Sequence, residues 1–275
     1  MVSATGTSAI ELVVTDLDGT LWHTDDHVPD EVLAAVAELE RRGIPLLVAT
    51  GRRLASTRAP LAAVGLTPAA VVLNGALGVD LATDERFHRA AYATGDAVAV
   101  LAGFRSVGLD PVVYVDHVGC ACFVSTTPST NPGHLAMLGE SAWVDDLDRV
   151  VAEEVVLGFG MIGIPYGDGE ASERALAGLA EVHLDRSIDY VGSASLTVAP
   201  KGQSKWDGVA AFCALRGLRA DRVLAVADGA NDLELLDRAA IAAVPAVAHP
   251  AALALADHVI PAAADGGWAD VLELL

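Results

Sequence analysis

Oxygen-bearing side chains follow three short aliphatic segments of the sequence. They are Asp16, Asp18, Thr50, Asp228 and Asp232. If the three segments are parallel strands of one open sheet, the carboxyl ends of the strands bring these side chains to one crevice. Gathering so many carboxylates costs free energy unless a cation lies among them, and hard oxygen ligands suit magnesium. The spacing therefore predicts a Mg²⁺ site at one edge of a sheet.

The pair Asp16 and Asp18 indicates which chemistry such a site could perform. A carboxylate beside a metal ion can attack a phosphorus atom and form an acyl phosphate. A second carboxyl group two residues further on, across a turn that Gly19 permits, would lie near the leaving oxygen. There it could act first as a general acid and then as a base towards water. Phosphoryl transfer through a covalent aspartyl intermediate is therefore a reaction that residues of these types at this spacing could carry out.

The elements that must position these residues can be read from the hydrophobic pattern. Three segments have the short, β-branched character of buried parallel strands: Ile10–Thr15, Ile44–Ala49 and Val223–Ala227. Helical patterns lie near them at Pro29–Arg42, at Ser204–Arg216 between an N-cap serine and Gly217, and at Asn231–Arg238. Strand, turn and helix in this order predict an α/β fold with a doubly wound, mostly parallel sheet.

The middle of the chain, from about Asp80 to about Tyr190, has a different pattern. Short alternating stretches and helical runs recur there, at Pro111–Asp116, Gly119–Ser125, Val155–Ile164 and Glu170–Ala180, whereas Pro128–Gly139 has the composition of a loop. We therefore expect a Rossmann-like core domain formed by residues 1–80 and 192–275, with an α+β domain inserted at 81–191.

Composition and charge exclude several classes of function. The chain has 37 acidic and 17 basic residues and a formal charge of −20, which disfavours a nucleic-acid partner. No run reaches the ~20 apolar residues that span a bilayer, and Met1–Ala9 lacks the pattern of a signal peptide. Three cysteines without a disulfide framework are typical of reduced thiols. These features predict a cytoplasmic protein that binds neither nucleic acid nor membrane.

Four motifs in order then give a family resemblance. Asp16-Leu17-Asp18-Gly19-Thr20-Leu21 resembles the first motif of the haloacid dehalogenase superfamily, and Ala49-Thr50-Gly51-Arg52 resembles the second motif of its Cof-type branch. Pro200-Lys201-Gly202-Gln203-Ser204-Lys205 is similar to the lysine motif of that branch, and Asp228-Gly229-Ala230-Asn231-Asp232 is similar to the fourth motif. The long insertion lies where Cof-type phosphatases carry their α/β cap of the larger, type IIB kind.

The resemblance implies a role for each matched residue. Asp16 is the implied nucleophile, Asp18 the acid/base, and Thr50 and Lys205 hold the phosphoryl group. The implied Mg²⁺ ligands are Asp16, Asp18 (through its backbone carbonyl) and Asp228. The implied substrate contacts are Thr50, Gly51, Arg52, Asn74, Lys205 and Asn231. Asp232 and Asn231 are implied to orient metal ligands, water or substrate from a layer outside the direct metal contacts.

Some positions admit two interpretations. Lys201 is a rival to Lys205, but a lysine in the first turn of a helix opposes the helix dipole, which favours an anionic partner for Lys205. Asn74-Gly75 can be a hairpin turn, a substrate contact or both. Arg52 can clamp a substrate or anchor the cap. The sequence also departs from the family at Trp22-His23, where small or polar residues are common.

The leading functional hypothesis is a Mg²⁺-dependent phosphatase for a small phosphorylated metabolite, with sugar phosphates as the class that the resemblance implies. A phosphomutase or phosphotransferase using the same aspartate is the alternative within enzymes. A non-catalytic phosphate-binding module is the alternative outside them. The sequence leaves open whether the protein is a monomer or a homodimer.

Overall fold

The structure is a computed structural model that describes residues 10–23, 26–117, 119–187 and 190–275. The segment Met1–Ala9, on which the expectation about a signal peptide rests, lies outside the described residues. The chain divides into two compact units, one formed by Met1–His88 with Ser204–Leu275 and the other by Arg89–Gln203. Among the described residues, no helix has both the length and the apolar character that crossing a bilayer requires.

Fourteen strands are present in the described ranges. In chain order they are β1 (Leu12–Thr15), β2 (Leu46–Ala49), β3 (Ala69–Val72), β4 (Leu77–Asp80), β5 (Arg86–Arg89), β6 (Val112–His117), β7 (Cys120–Val124), β8 (Ala142–Val144), β9 (Val156–Ile164), β10 (Glu181–Arg186), β11 (Ala194–Ala199), β12 (Val223–Val226), β13 (Ile241–Pro245) and β14 (His258–Ile260).

Nine α-helices accompany these strands in the same ranges. They are α1 (Asp30–Arg41), α2 (Leu54–Ala63), α3 (Thr94–Ser106), α4 (Pro132–Leu138), α5 (Leu147–Glu153), α6 (Tyr166–Leu176), α7 (Lys205–Arg216), α8 (Leu233–Arg238) and α9 (Pro250–Leu253). Short 3₁₀ turns include Leu73–Gly75 and Ala230–Asp232.

The first unit is built on an eight-stranded sheet in the order β14-β13-β12-β1-β2-β3-β4-β5. The pairs from β14 to β3 are parallel, and β3 pairs antiparallel with β4. Alternate residues of β1 face opposite sides of the sheet, yet Leu12, Val13 and Val14 are all fully buried. Both faces of the sheet are therefore covered, as predicted for a doubly wound α/β sheet.

Helix α7 packs on one face of this sheet and has clear start and stop signals. Ser204 forms a capping box with Asp207, and Gly217 ends the helix in the left-handed conformation at φ 67°. Val209 and Phe212 of α7 share a hydrophobic core with Leu12 of β1. The predicted helix Ser204–Arg216 and its two caps are thus confirmed, and the N-terminus of α7 is fixed relative to the strands.

The second unit has a six-stranded sheet in the order β10-β11-β9-β6-β7-β8. Its pairs are antiparallel except for the parallel pair β7 and β8. Helices α3, α5 and α6 cover it and contribute residues such as Phe104, Val150 and Leu176 to a separate core. This unit has the α+β character predicted for the middle of the chain.

The predicted loop Pro128–Gly139 is wrong in its second half, because Pro132–Leu138 forms α4. Asn131 caps the helix by accepting a hydrogen bond from the Gly133 N–H, and Pro132 occupies the first helical position. The Asn-Pro-Gly run that indicates a loop is therefore a helix start. The predicted helix Glu170–Ala180 also shifts, since α6 begins at Tyr166 and ends at Leu176.

The chain passes from one compact unit to the other between residues 88 and 89 and again between 203 and 204. The sequence analysis predicts these boundaries at 80/81 and 191/192. Strand β5 joins the sheet of the first unit, and β11 pairs with β9 and β10 in the second. These two strands account for the difference. The assignment of the units as catalytic core and cap stays a prediction.

Candidate active site

Three aspartates lie together at the carboxyl ends of β1 and β12. One carboxylate oxygen from each of Asp16, Asp228 and Asp232 lies within 4.8 Å of the others. The parallel register, which pairs Thr15 with Val226, brings Asp16 and Asp228 to the same edge of the sheet. Asp232 reaches this edge from the 3₁₀ turn Ala230–Asp232. Asp16 and Asp232 are buried, and Asp228 is half-buried.

Lys205 lies against these carboxylates, and we call the four residues the carboxylate–lysine cluster. Its Nζ donates to Asp16 Oδ1 at 2.8 Å and to Asp232 Oδ1 at 2.7 Å. The lysine side chain is only 1% exposed. Burial alone would lower the pKa of Lys205, but the charges of Asp16 and Asp232 outweigh burial and raise it. Lys205 is therefore a fixed cation, while its rival Lys201 is exposed.

The carboxylates are short of positive charge. Burial raises the pKa of Asp16 well above its ordinary value, and the neighbouring carboxylates add to this while Lys205 opposes it. Burial also raises the pKa of Asp228 to about 6, against a hydrogen bond from Thr20 that lowers it. One ammonium group does not neutralise three carboxylates. The cluster therefore has the donor set and the charge deficit that suit a divalent cation with oxygen ligands.

Gly19 and Thr20 hold Asp228 in this arrangement. The Thr20 hydroxyl is fully buried and donates to Asp228 Oδ1 at 2.9 Å. Gly19 has φ 75°, and a Cβ there would lie 2.4 Å from Asp228 Oδ2. A residue with a side chain would thus be strained and would also collide with the carboxylate. The turn that Gly19 permits, expected from the sequence, also leaves space for Asp228.

A polar group of four residues lies beside the cluster: Thr50 and Gly51 after β2, Asn74 after β3, and Asn231 in the 3₁₀ turn that carries Asp232. Thr50 is buried, and its backbone carbonyl accepts a hydrogen bond from the Asn74 N–H at 3.2 Å. The Asn231 amide donates to Asn74 Oδ1 at 2.8 Å. A Cβ on Gly51 would lie 2.9 Å from Asn74 Oδ1, so the glycine allows this close approach. The structure thus brings together four residues that the sequence analysis assigned to substrate binding.

The Asn74-Gly75 turn connects the antiparallel strands β3 and β4, as the hairpin interpretation predicts. Asn74 has φ 53° and Gly75 has φ 105°. A Cβ on Gly75 would lie 2.1 Å from the Ser204 backbone oxygen. The turn therefore packs closely against the N-terminus of α7, the helix that carries Lys205.

Asp18 has different partners from Asp16. Its carboxylate accepts hydrogen bonds from Arg52 Nε at 2.6 Å, from Arg52 Nη2 at 2.5 Å and from the Trp22 indole N–H at 3.1 Å. Arg52 Nη2 also pairs with Asp26 at 2.6 Å. We call Asp18, Trp22, Asp26 and Arg52 the Asp18 cluster. The sequence predicts a substrate contact or a cap anchor for Arg52, and the structure pairs its guanidinium with two carboxylates of its own unit.

Three contacts at this site had no counterpart in the sequence analysis. Thr20 stands inside the first motif, so a role for its hydroxyl could have been suspected from the motif itself. Trp22 and Asp26 carry no such signal, because their contacts depend on how the loop after β1 folds back. Within that loop, the N–H groups of Thr20, Leu21 and Trp22 all donate to the Leu17 carbonyl.

Comparison with known proteins gives the family of the chain. The family model of haloacid dehalogenase-like hydrolases matches residues 13–117 and 166–272. A phosphoglycolate phosphatase from Methanopyrus kandleri is 26% identical over 264 residues, which cover 96% of each chain.

Solved structures show the same fold. A phosphatase of the haloalkanoate (HAD) superfamily from Bacteroides thetaiotaomicron superposes with a TM-score of 0.78 at 21% identity, covering 98% of this chain and 96% of that one. A HAD subclass IIB sugar phosphatase gives a TM-score of 0.75 at 18% identity, covering 96% and 98%. The predicted fold and family are confirmed, and the chain belongs to the haloacid dehalogenase-like hydrolase family.

Proposed function

We propose that this protein is a Mg²⁺-dependent phosphatase that hydrolyses a small phosphorylated metabolite through a phosphoryl group carried on Asp16. The observation that carries the proposal is the buried carboxylate–lysine cluster, in which Lys205 Nζ contacts Asp16 at 2.8 Å. The phosphatases among the similar proteins, which include a phosphoglycolate phosphatase and a sugar phosphatase, support this class of reaction.

Asp16 is the proposed nucleophile because its carboxylate follows β1 and lies against a fixed cation, the Lys205 ammonium group. Its oxygen forms a bond to phosphorus as the bond from phosphorus to the leaving oxygen breaks. Lys205 and the Thr50 hydroxyl hold the equatorial phosphoryl oxygens, whose negative charge must be stabilised during transfer. Gly51, Asn74, Asn231 and Arg52 are proposed to contact the substrate around them.

Asp18 is the proposed acid and base. It gives a proton to the leaving oxygen in the first step and removes one from water in the second. That water attacks phosphorus, the acyl phosphate bond breaks, and Asp16 is regenerated with release of inorganic phosphate.

Asp16 and Asp228, with the Asp18 backbone carbonyl, are the proposed Mg²⁺ ligands, and Asp232 orients them. When bound, Mg²⁺ supplies positive charge to the phosphoryl oxygens. The charge deficit of the three carboxylates, described above, fits this cofactor. The unit Arg89–Gln203 is proposed to be the cap that selects the substrate.

The test is phosphate release from 4-nitrophenyl phosphate and from a panel of phosphorylated metabolites, with and without Mg²⁺. Asp16→Asn should abolish turnover, whereas Asp221→Asn, which changes an exposed aspartate paired with Arg219, should not. Undiminished turnover by Asp16→Asn would reject the nucleophile. An isomerised product without free phosphate would indicate a mutase, and binding without turnover would indicate a non-catalytic module.

A further inference from the structure

The Asp18 carboxylate has an unequal set of donors. Oδ1 accepts two hydrogen bonds, from Trp22 Nε1 at 3.1 Å and from Arg52 Nη2 at 2.5 Å. Oδ2 accepts a single hydrogen bond, from Arg52 Nε at 2.6 Å. The indole and guanidinium N–H groups are donors only, so Oδ1 uses two of its acceptor sites for them and Oδ2 uses one. The Trp22 contact therefore distinguishes the two oxygens of Asp18.

Trp22 also holds the donor of the other bonds. The Arg52 guanidinium carbon lies 5.1 Å from the centre of the Trp22 ring, which is cation–π distance. Trp22 is fully buried, so its ring has little freedom to move. One side chain thus contacts Asp18 directly and supports the arginine that binds Asp18 twice.

The loop geometry sets the position of the ring relative to Asp18. Asp18 and Trp22 form an isolated parallel bridge, and the Gly19 N–H donates to the His23 carbonyl at 3.2 Å. The indole and the carboxylate four residues before it are therefore joined through the backbone and through the side chains. A buried indole N–H needs an acceptor, and for Trp22 that acceptor is the carboxylate of the proposed acid and base.

We propose that Trp22 is a positioning residue that, with Arg52, fixes the Asp18 carboxyl group for proton transfer to the leaving oxygen. The inference rests on the proposed function and adds a residue to it. In the proposed function Asp18 gives a proton to the leaving oxygen as the bond from phosphorus breaks, and Oδ2, which accepts a single hydrogen bond, is the oxygen positioned for that transfer. The electron pair of that bond stays on the leaving oxygen. Oδ1 stays bonded to Trp22 and Arg52, which stabilise the carboxylate that forms.

The test separates proton transfer from general loss of structure by varying the leaving group. Wild type and Trp22→Phe are compared on aryl phosphates from 4-nitrophenyl to unsubstituted phenyl phosphate. Their kcat/KM values report the steps up to departure of the leaving group. Phenolate is the poorer leaving group and depends more on a general acid. We expect Trp22→Phe to lower kcat/KM by about tenfold or more for phenyl phosphate but by less than about threefold for 4-nitrophenyl phosphate.

Trp268→Phe is the matched control. Trp268 is also fully buried, and its indole N–H donates to the Thr15 hydroxyl at 2.8 Å. This variant should leave the ratio of the two kcat/KM values as in wild type. In an Asp18→Ala background, Trp22→Phe should have no further effect on that ratio, since the two residues act as a unit.

A Trp22→Phe protein that loses activity equally on all aryl phosphates would overturn the inference alone. A wild-type protein that turns over none of them would overturn the proposed function and this inference with it. If Trp22→Phe does not fold, Arg52→Lys provides the same test, because the arginine side chain is 21% exposed and lysine lacks the planar fork that binds both carboxylate oxygens in one geometry. An unchanged ratio in Arg52→Lys would then overturn the inference.

Discussion

The carboxylate–lysine cluster and the Asp18 cluster both pair cations with carboxylates near the carboxyl end of β1, but their side chains differ in exposure to solvent. The side chains of Lys205 and Asp232 are 1% and 0% exposed, whereas those of Arg52 and Asp26 are 21% and 45% exposed. Buried pairs are weakly screened and costly to break, whereas partly exposed pairs contribute about 1 kcal/mol or less. Breaking the carboxylate–lysine cluster should therefore cost more stability than breaking an ion pair of the Asp18 cluster.

The largest effect is expected when the single cation of the buried cluster is removed. Lys205→Met should lower kcat by about 10²–10³-fold, because a fixed donor to the phosphoryl oxygens is lost. It should also lower the free energy of unfolding by about 3–5 kcal/mol in the absence of Mg²⁺, since the Asp16 and Asp232 carboxylates lose their cationic partner. Urea unfolding and phosphate release measure the two effects.

Lys201→Met is the control for that variant, because Lys201 is an exposed lysine of the same motif. It should change neither quantity by more than experimental error. Comparable losses of kcat and of unfolding free energy in the two variants would show that these effects do not depend on the buried position of Lys205.

A smaller effect is expected from Gly19→Ala, which places a methyl group 2.4 Å from Asp228 Oδ2. Gly43→Ala is the matched control: Gly43 has nearly the same φ, 72° against 75°, and nothing lies within 4 Å of its added Cβ. In both variants the alanine must adopt a left-handed backbone conformation, which costs about 1 kcal/mol of stability in each. Only Gly19→Ala should also weaken Mg²⁺ binding, measured by titration calorimetry. Equal Mg²⁺ affinities would contradict the contact between Gly19 and Asp228.

The next prediction concerns pH, and its sign follows from the raised pKa of Asp228. Without Mg²⁺, this group contributes stability that is fully present below its ordinary pKa of 3.8 and is lost as pH rises through about 6. Mg²⁺ needs the ionised carboxylate. The increase in Tm on adding Mg²⁺ should therefore be larger at about pH 8 than at about pH 5. Thermal unfolding at both values measures it, and an increase that does not depend on pH would argue against Asp228 as a ligand.

The smallest effect is expected in the Asp18 cluster. Asp26→Asn removes one partly exposed partner of Arg52, so the free energy of unfolding should fall by less than about 1 kcal/mol. Arg52 keeps both bonds to Asp18, and kcat should stay within about threefold of wild type. A loss as large as that of Lys205→Met would remove the distinction between the two clusters.

Much of the first unit could be predicted because local signals agreed with the fold. Ser204 and Gly217 mark the ends of α7, and the ends of the aliphatic strands place Asp16 and Asp228 at one edge of the sheet. Residues far apart in sequence could thus be grouped through the register of parallel strands.

The rest depended on geometry that the sequence does not express. The Asn-Pro-Gly run at Asn131 fits a loop and a helix start equally, and only the hydrogen bond from Gly133 to Asn131 decides between them. The pairing of Arg52 with Asp18 depends on rotamers and on the loop that carries Trp22. Side-chain contacts across a loop have no fixed spacing, and for that reason Trp22 was visible only as a departure from the family.

The central claim is that Asp16 carries the phosphoryl group. The most direct measurement is an acid quench of the protein during turnover of 4-nitrophenyl phosphate with Mg²⁺, followed by peptide mass spectrometry. We predict one added phosphoryl group on the peptide that contains Asp16, and none in Asp16→Asn. A phosphoryl group on any other residue, or full turnover by Asp16→Asn, would contradict the account.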